Sequence, residues 1–276
     1  MSILKEEKEQ KIFFELNALR EDDKQNLDEY FLAYSIQATL DGMRWLNTDE
    51  LILDYGCGLG DSIEMYRLAN NSYPSSLIGV DIAKNAISKI EKKYAYNFYQ
   101  ITENKIPMLQ DGIVSSVYMI NVLHHTTTRN QIFCEVLRVL KPGGKFLIID
   151  ITDKNLFIEF GRKIFMYVPG YIKKQFSKDL IIENTIPEKL PVDPDTIVGD
   201  LISAGYEIER VGRHSLFFFV FDWFEKILKL EISKGKYKNI YKPILWLENF
   251  LLRYKIFQNR SAILSIWVKK PNLHEK

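Results

Sequence analysis

An apolar run that ends in an acid and then meets three alternate glycines constrains this chain more than any other feature. Leu51-Ile-Leu-Asp-Tyr-Gly-Cys-Gly-Leu-Gly-Asp61 reads as a buried parallel strand over Leu51 to Leu53, a glycine turn, and a helix from Asp61 to Ala69. Glycine lets a backbone turn sharply and approach a ligand with no side chain in the way. Strand, glycine turn and helix in that order form the usual seat of a nucleotide-like ligand in an open α/β sheet. The spacing G-x-G-x-G differs from the G-x-G-x-x-G that holds a pyrophosphate on a helix N-terminus. It therefore counts against a nicotinamide-dependent oxidoreductase.

The same rhythm continues downstream. Ser76-Ser-Leu-Ile-Gly-Val-Asp81 reads as a second strand ending in an acid, and Ala95 to Ile101 as a third. Asp111 to His125 gives a fourth strand and its following loop. Glu135 to Asp150 gives a helix, a Lys-Pro-Gly-Gly break and a fifth strand. Val192-Asp-Pro introduces a crossover helix over Asp195 to Ala204, followed by a sixth strand over Gly205 to Val211. Ser261 to Lys269 is the best candidate for a seventh. Alternating strands and helices imply a parallel sheet with right-handed crossovers.

In this order the segments from about Leu51 to Thr152 resemble the class I S-adenosylmethionine-dependent methyltransferases of the type 11-like family. The resemblance continues more weakly to the C-terminus. It implies an α/β fold: a Rossmann-like, seven-stranded, mostly parallel sheet with an antiparallel last strand, plus a helical N-terminal segment and a helical insertion. It implies S-adenosyl-L-methionine as cofactor, S-adenosyl-L-homocysteine as product, and no metal. Asp54 would meet the methionine ammonium, directly or through water, beside a loop of Tyr55, Gly56, Cys57, Gly58 and Gly60. Asp81, followed by Ile82, would accept from the ribose hydroxyls, and Asn121 would lie beside the methionine part. Two positions depart from the family pattern. Thr102 stands where an aspartate commonly meets the adenine amino group; a threonine hydroxyl can still accept a hydrogen bond, and Glu103 is adjacent. Ser115 stands where the fourth strand usually starts with aspartate.

Organisation follows from the same reading. Residues 1–50 form an N-terminal helical cap, with Tyr30 and Tyr34 on an apolar face that serves packing or substrate contact. Residues 51–211 and 259–271 form the cofactor-binding core, in which 153–194 is the acceptor-pocket segment. Residues 212–258 form an amphipathic helical insertion between strands that a tight hairpin would otherwise join. Leu216 to Leu230 and Pro243 to Phe257 are its two amphipathic stretches, with Lys234, Lys236, Lys238 and Lys242 between them. Aromatic side chains with basic neighbours fit an interfacial segment, giving membrane-surface contact through 216–257, or a helical cap on the catalytic domain. The two roles are compatible.

Net charge at pH 7 is +1, so no global field recruits nucleic acid, and no nucleic-acid partner is expected. The 2 cysteines, Cys57 and Cys134, do not form a disulfide framework and fit a reducing cytoplasm. No apolar run is long enough to span a bilayer. A cytoplasmic protein, with peripheral membrane attachment as an open option, is the expectation.

Methyl transfer requires an acceptor lone pair aligned behind the sulfonium and water kept out. Oxygen is the expected acceptor atom, with carbon and nitrogen as alternatives; an oxygen acceptor usually needs a base. His124 and His125, on the loop after the fourth strand, are the candidates, and His214 is a weaker one. The acceptor would be a small molecule or lipid-linked. The rival from another class is a non-catalytic S-adenosylmethionine-binding module with the same fold.

Overall fold

The glycine-terminated run is a strand in a seven-stranded sheet. The computed structural model describes residues 37–46, 48–152, 192–217 and 238–272. The expectations for Tyr30, Tyr34, the segment 153–191 and the first amphipathic stretch beyond Phe217 lie outside these residues. The strands are β1 (Leu51–Tyr55), β2 (Ser76–Asp81), β3 (Asn97–Gln100), β4 (Val114–Ile120), β5 (Leu140–Ile151), β6 (Glu207–His214) and β7 (Ile263–Lys269). Their order across the sheet is β3-β2-β1-β4-β5-β7-β6. β1 to β5 are parallel, and β7 runs antiparallel to both β5 and β6. The direction of β6 therefore matches that of β1 to β5.

Helices cover both faces. Among the described residues these are α1 (Gln37–Trp45), α2 (Asp61–Asn70), α3 (Lys84–Lys93), α4 (Arg129–Val139) and α5 (Pro194–Ala204); α6 (Lys238–Leu251) and α7 (Lys255–Gln258) come between β6 and β7 in the chain. Side chains alternate across the strands. Leu53, Val117, Met119, Phe146, Ile148 and Ile266 join Phe133, Val136, Ile197 and Leu201 of α4 and α5 on one face. Ile52, Tyr118, Leu147 and Trp267 join Met43, Ile63, Tyr66 and Ile90 of α1, α2 and α3 on the other. Each such fully buried aliphatic or aromatic side chain contributes roughly 1.5–3 kcal/mol relative to exposure. Both faces of the central strands are thus apolar, as the near-continuous hydrophobic runs require.

Local signals explain the helix ends. Asp193 caps α5 by accepting from Thr196 N–H at 3.1 Å, with Pro194 at the first helical position. Gly205 ends it with φ 103, and Tyr206 N–H returns to the Leu201 carbonyl at 3.0 Å. The α4 C-terminus is closed by Lys270, whose Nζ donates to the Leu137 and Leu140 carbonyls at 2.8 Å each.

Three elements differ from the sequence-based expectation. The Lys-Pro-Gly-Gly stretch does not separate helix from strand; it is an irregularity inside β5. Val114 pairs with Leu140 and Ser116 with Lys145, so a two-residue step on β4 faces five on β5. β6 runs to His214 rather than ending at Val211, because Gly212, Arg213 and His214 keep pairing with β7. The stretch from Pro243 is also divided: α6 starts earlier, at Lys238, keeps Pro243 inside, and stops at Leu251 before the short α7.

The backbone leaving β5 and β6 is tied to the backbone entering β7. Thr152 N–H donates to the Ala262 carbonyl at 2.8 Å, and Ala262 N–H to the Ser215 carbonyl at 3.1 Å. The Thr152 hydroxyl donates to the Ser261 carbonyl at 2.6 Å. These junctions lie at the carboxyl edge of the parallel strands, where ligands bind in open α/β sheets.

Candidate functional site

At that edge the β1–α2 loop folds over the end of β2. Gly56 and Cys57 N–H groups donate to the Val80 carbonyl at 2.8 and 3.0 Å. Asp81 stitches the loop further: Oδ2 accepts from Gly58 N–H at 2.9 Å and Oδ1 from Ala83 N–H at 2.8 Å. Two glycines answer to the protein itself. Gly56 has φ 80, and a Cβ there would lie 2.4 Å from Val122 Cγ2. Gly60 has φ 92, and a Cβ would lie 2.6 Å from the Tyr94 ring. Only Gly58 of the three faces open space, with nothing within 4 Å of an added Cβ. The close approach to a ligand anticipated for all three glycines thus falls to Gly58.

Asp54 lies beneath this loop, 1% exposed, in register between Gly79 and Tyr118. Its carboxylate accepts from the Ser62 hydroxyl at 2.5 Å. Burial pushes its pKa up to about 7; the Ser62 hydrogen bond pulls it back in part, and the charges of Asp81 and Asp61 add to the rise. No cation among the described residues pairs with it. The neighbouring Tyr118 hydroxyl is the one buried side-chain polar atom without a hydrogen bond among the described residues. A buried carboxylate without a counter-ion beside an orphaned hydroxyl is incomplete by itself and suits a cationic group with N–H donors.

The other expected residues divide. Tyr55 is buried and donates to Asn104 Oδ1 at 3.3 Å. Cys57 is buried against Gly79, and burial with the charges of Asp54 and Asp81 pushes its thiol well up, so it is a loop-packing residue without thiolate character. Ile82 is half-buried, and its carbonyl accepts from Gln100 Nε2 at 3.0 Å. Asn121 is exposed at the tip of β4 with φ 57, a conformation asparagine tolerates, and its N–H donates to the Ile149 carbonyl at 2.8 Å. Thr102 and Glu103 are exposed on a tight turn; the Glu103 side chain faces solvent 4.0 Å from Lys105. The structure does not bring Glu103 to the loop.

The histidines also separate. His214 is packed against Trp267, bonded to Ser265 Oγ at 2.7 Å, and burial together with Arg210 lowers its pKa to about 4. It serves the β6–β7 pair, which removes it as a base. His124 is buried on the turn after β4, with Nδ1 2.5 Å from Asp150 Oδ1. Asp150 is fully buried and also accepts from Leu123 N–H on Oδ2 and Ile151 N–H on Oδ1, each at 2.7 Å. That acceptor arrangement places the imidazole proton on Nδ1 and the lone pair on Nε2, which has no hydrogen-bond partner among the described residues. His125 stacks beside it, ring centroids 3.8 Å apart. Asp150 is the functional residue the sequence reading passed over. Its signal was available: β1, β2 and β5 all carry an aspartate at their carboxyl ends.

A family model described as "Methyltransferase domain" matches residues 53–148, so over those residues the chain is similar to methyltransferases. The span covers the glycine loop, Asp81 and both loop histidines. A ubiquinone/menaquinone biosynthesis C-methyltransferase, UbiE, of Desulfotalea psychrophila is 30% identical over 122 residues, covering 42% of this chain and 48% of that protein. The sterol 4-C-methyltransferase strm-1 of Caenorhabditis elegans is 31% identical over 110 residues, 37% of this chain and 31% of that protein. The chain thus spans less than half the length of these relatives. In three dimensions, the Haemonchus contortus phosphoethanolamine N-methyltransferase 2, in complex with phosphomonomethylethanolamine and S-adenosylhomocysteine, matches with a TM-score of 0.54. It is 16% identical, covering 94% of this chain and 60% of that one, a likeness of fold. The carboxyl edge holds two separate constellations: the Asp54–Gly58–Asp81 loop, and the His124–Asp150 pair one and two strands away.

Proposed function

We propose that the chain binds S-adenosylmethionine and transfers its methyl group to a small-molecule or lipid-linked acceptor that must lose a proton, at a hydroxyl oxygen first and an acidic carbon second. The cofactor would supply an electrophilic methyl on a sulfonium. The residues fit it: Asp54 and the orphaned Tyr118 hydroxyl suit its ammonium end. Gly58 leaves room for it. Asp81 ends β2 beside Gly58, where a carboxylate is the acceptor type that ribose hydroxyls require. Thr102 and Asn121 are exposed on the same edge, within the loops that would flank adenine and methionine.

The observation that carries the choice of acceptor is the His124–Asp150 pair. Asp150 fixes the imidazole through Nδ1 and leaves Nε2 as the proton acceptor. As the acceptor's proton moves to Nε2, Asp150 stabilises the imidazolium that forms. Such a pair suits an acceptor that loses a proton as the new bond forms. The C-methyl chemistry named for the two curated relatives is consistent with that class, and both names denote lipid-soluble substrates. The described residues contain no cluster of three metal-binding side chains, and acid–base work by His124 requires none.

The test has two arms. Calorimetric titration of S-adenosylmethionine should show binding that Asp81→Ala weakens by loosening Gly58 and removing the ribose acceptor. S-adenosylhomocysteine should then accumulate with lipid-soluble hydroxyl or quinol acceptors, and His124→Ala should stop that while leaving cofactor affinity intact. Cofactor binding with no turnover on any acceptor would favour the binding-module alternative. A His124→Ala enzyme as fast as the parent would remove the base.

A further inference from the structure

Helix α6 turns its aromatic side away from the protein. Glu248 is buried, 5% exposed, and its two oxygens accept the Ser215 and Phe217 N–H groups at 3.1 and 3.0 Å. Ser215 has φ 63, so the backbone bends directly after β6 to meet it. On a helix of 3.6 residues per turn, Trp246 lies about 200° and Phe250 about 160° around from Glu248. Pinning Glu248 inward therefore turns both rings outward. Trp246 is 70% exposed, Phe250 40%, Tyr254 52% and Ile256 71%. The rings form a continuous row: Trp246 and Phe250 stack with centroids 6.0 Å apart and planes 12° apart, and Phe250 meets Tyr254 edge-on at 5.8 Å. Scattered exposed apolar residues are normal; a contiguous row marks an interaction surface.

The charges around the row select its occupant. Between 238 and 272 the sequence has one acid, Glu248, and that carboxylate is consumed by the pin. Among the described residues of 238–272, the exposed charged side chains are Arg253, Lys255 and Arg260, all cationic. Two copies of this face would oppose like charges across a two-fold axis. An anionic lipid surface instead complements the cations, while tryptophan and tyrosine occupy the boundary between headgroups and acyl chains. The pin lies at Ser215, on the carboxyl edge that also holds Thr152 and Ala262. The row is thus fixed at the side of the sheet from which a substrate would enter.

We propose that the Trp246–Phe250–Tyr254 row docks on an anionic lipid surface and holds the carboxyl edge of the sheet against the membrane that contains the methyl acceptor. The docking itself is independent of catalysis; its purpose, delivery of a lipid-soluble acceptor, rests on the methyl-transfer reading. The full chain should pellet with phosphatidylcholine vesicles containing phosphatidylglycerol and far less with phosphatidylcholine alone. Binding should weaken in roughly 1 M salt, where the Debye length falls to about 3 Å. The triple variant Trp246→Ser/Phe250→Ser/Tyr254→Ser should lose pelleting, and Arg253→Glu/Lys255→Glu should lose the preference for anionic vesicles. S-adenosylmethionine affinity, measured on the same proteins, should stay unchanged in both variants and shows them folded. Vesicle binding in a wild type that takes no cofactor would sink the methyl-transfer reading and leave docking standing. A wild type that stays in solution with anionic vesicles would overturn the proposal, as would a triple variant that pellets undiminished. A dimer that the triple variant splits, with no vesicle binding, would assign the row to a second copy.

Discussion

At the scale of single residues, Asp54 has the most direct measurable consequence. Its folded pKa is raised to about 7 from 3.8, chiefly by burial. The sign follows from linkage: the fold gains from a protonated Asp54 at low pH, and that gain is lost as pH rises through about 7. A bound cation would reverse the pressure and draw the proton off. S-adenosylmethionine affinity should therefore rise with pH up to about 7 and release a fraction of a proton below it. Titration calorimetry in buffers of different ionisation enthalpy reads this release, and Asp54→Asn should abolish it. The glycines give a second contrast. Gly58→Ala should cost about 1–2 kcal/mol for its left-handed backbone and weaken cofactor binding by filling open space. Gly56→Ala should destabilise more, through its clash with Val122, and Val122→Ala should restore part of the loss; urea unfolding distinguishes them. The conformational need for glycine was readable from spacing. Which glycine faces a ligand was not, because Val122 and Tyr94 meet the loop from distant segments.

At the scale of elements, the strands were legible where a short apolar run ended in an acid or a glycine, as in β1, β2 and the Asp193-Pro194 start of α5. Pairing across long separations was not legible. β6 outlasts its expected end because β7, which begins only at Ile263, keeps offering partners to Gly212, Arg213 and His214. The Lys-Pro-Gly-Gly stretch looks like a chain break, yet β4 pairs with Leu140 and Lys145 on either side of it, and the Lys270 backbone just past β7 bonds Gly143 and Gly144. Glu248 belongs to the same class: on a helical projection it is a solvated charge, and only the bend at Ser215 makes it a fastener. Glu248→Ala should leave two N–H groups without their partner, at about 1–3 kcal/mol for each that stays buried. Urea unfolding should show that loss, and limited proteolysis should cut faster around residues 215–260. Glu248→Gln keeps an acceptor and should lose less.

At the scale of the whole molecule, the described chain is a sheet with helices on both faces and its candidate site on one edge. A ligand that binds only the folded form stabilises it by about 2.7 kcal/mol at a hundredfold excess over its dissociation constant. S-adenosylhomocysteine should accordingly raise the melting temperature of the wild type and raise that of Asp81→Ala much less, measured by scanning calorimetry. The sheet order and the donor loop could be anticipated from sequence because local signals repeat along it. The contact between His124 and Asp150 could not, because only the pairing of β4 with β5 brings the candidate base beside that aspartate. The knot of Thr152, Ser215 and Ala262 has a consequence of a different kind. It anchors the backbone where the chain leaves β5 for residues 153–191 and where it leaves β6 for residues 218–237. Descendants of such a chain can exchange, lengthen or rewrite those two stretches while every sheet pairing stays in place. Under the proposed function, new acceptors become reachable through heritable changes confined to two inserts, with the donor machinery inherited intact.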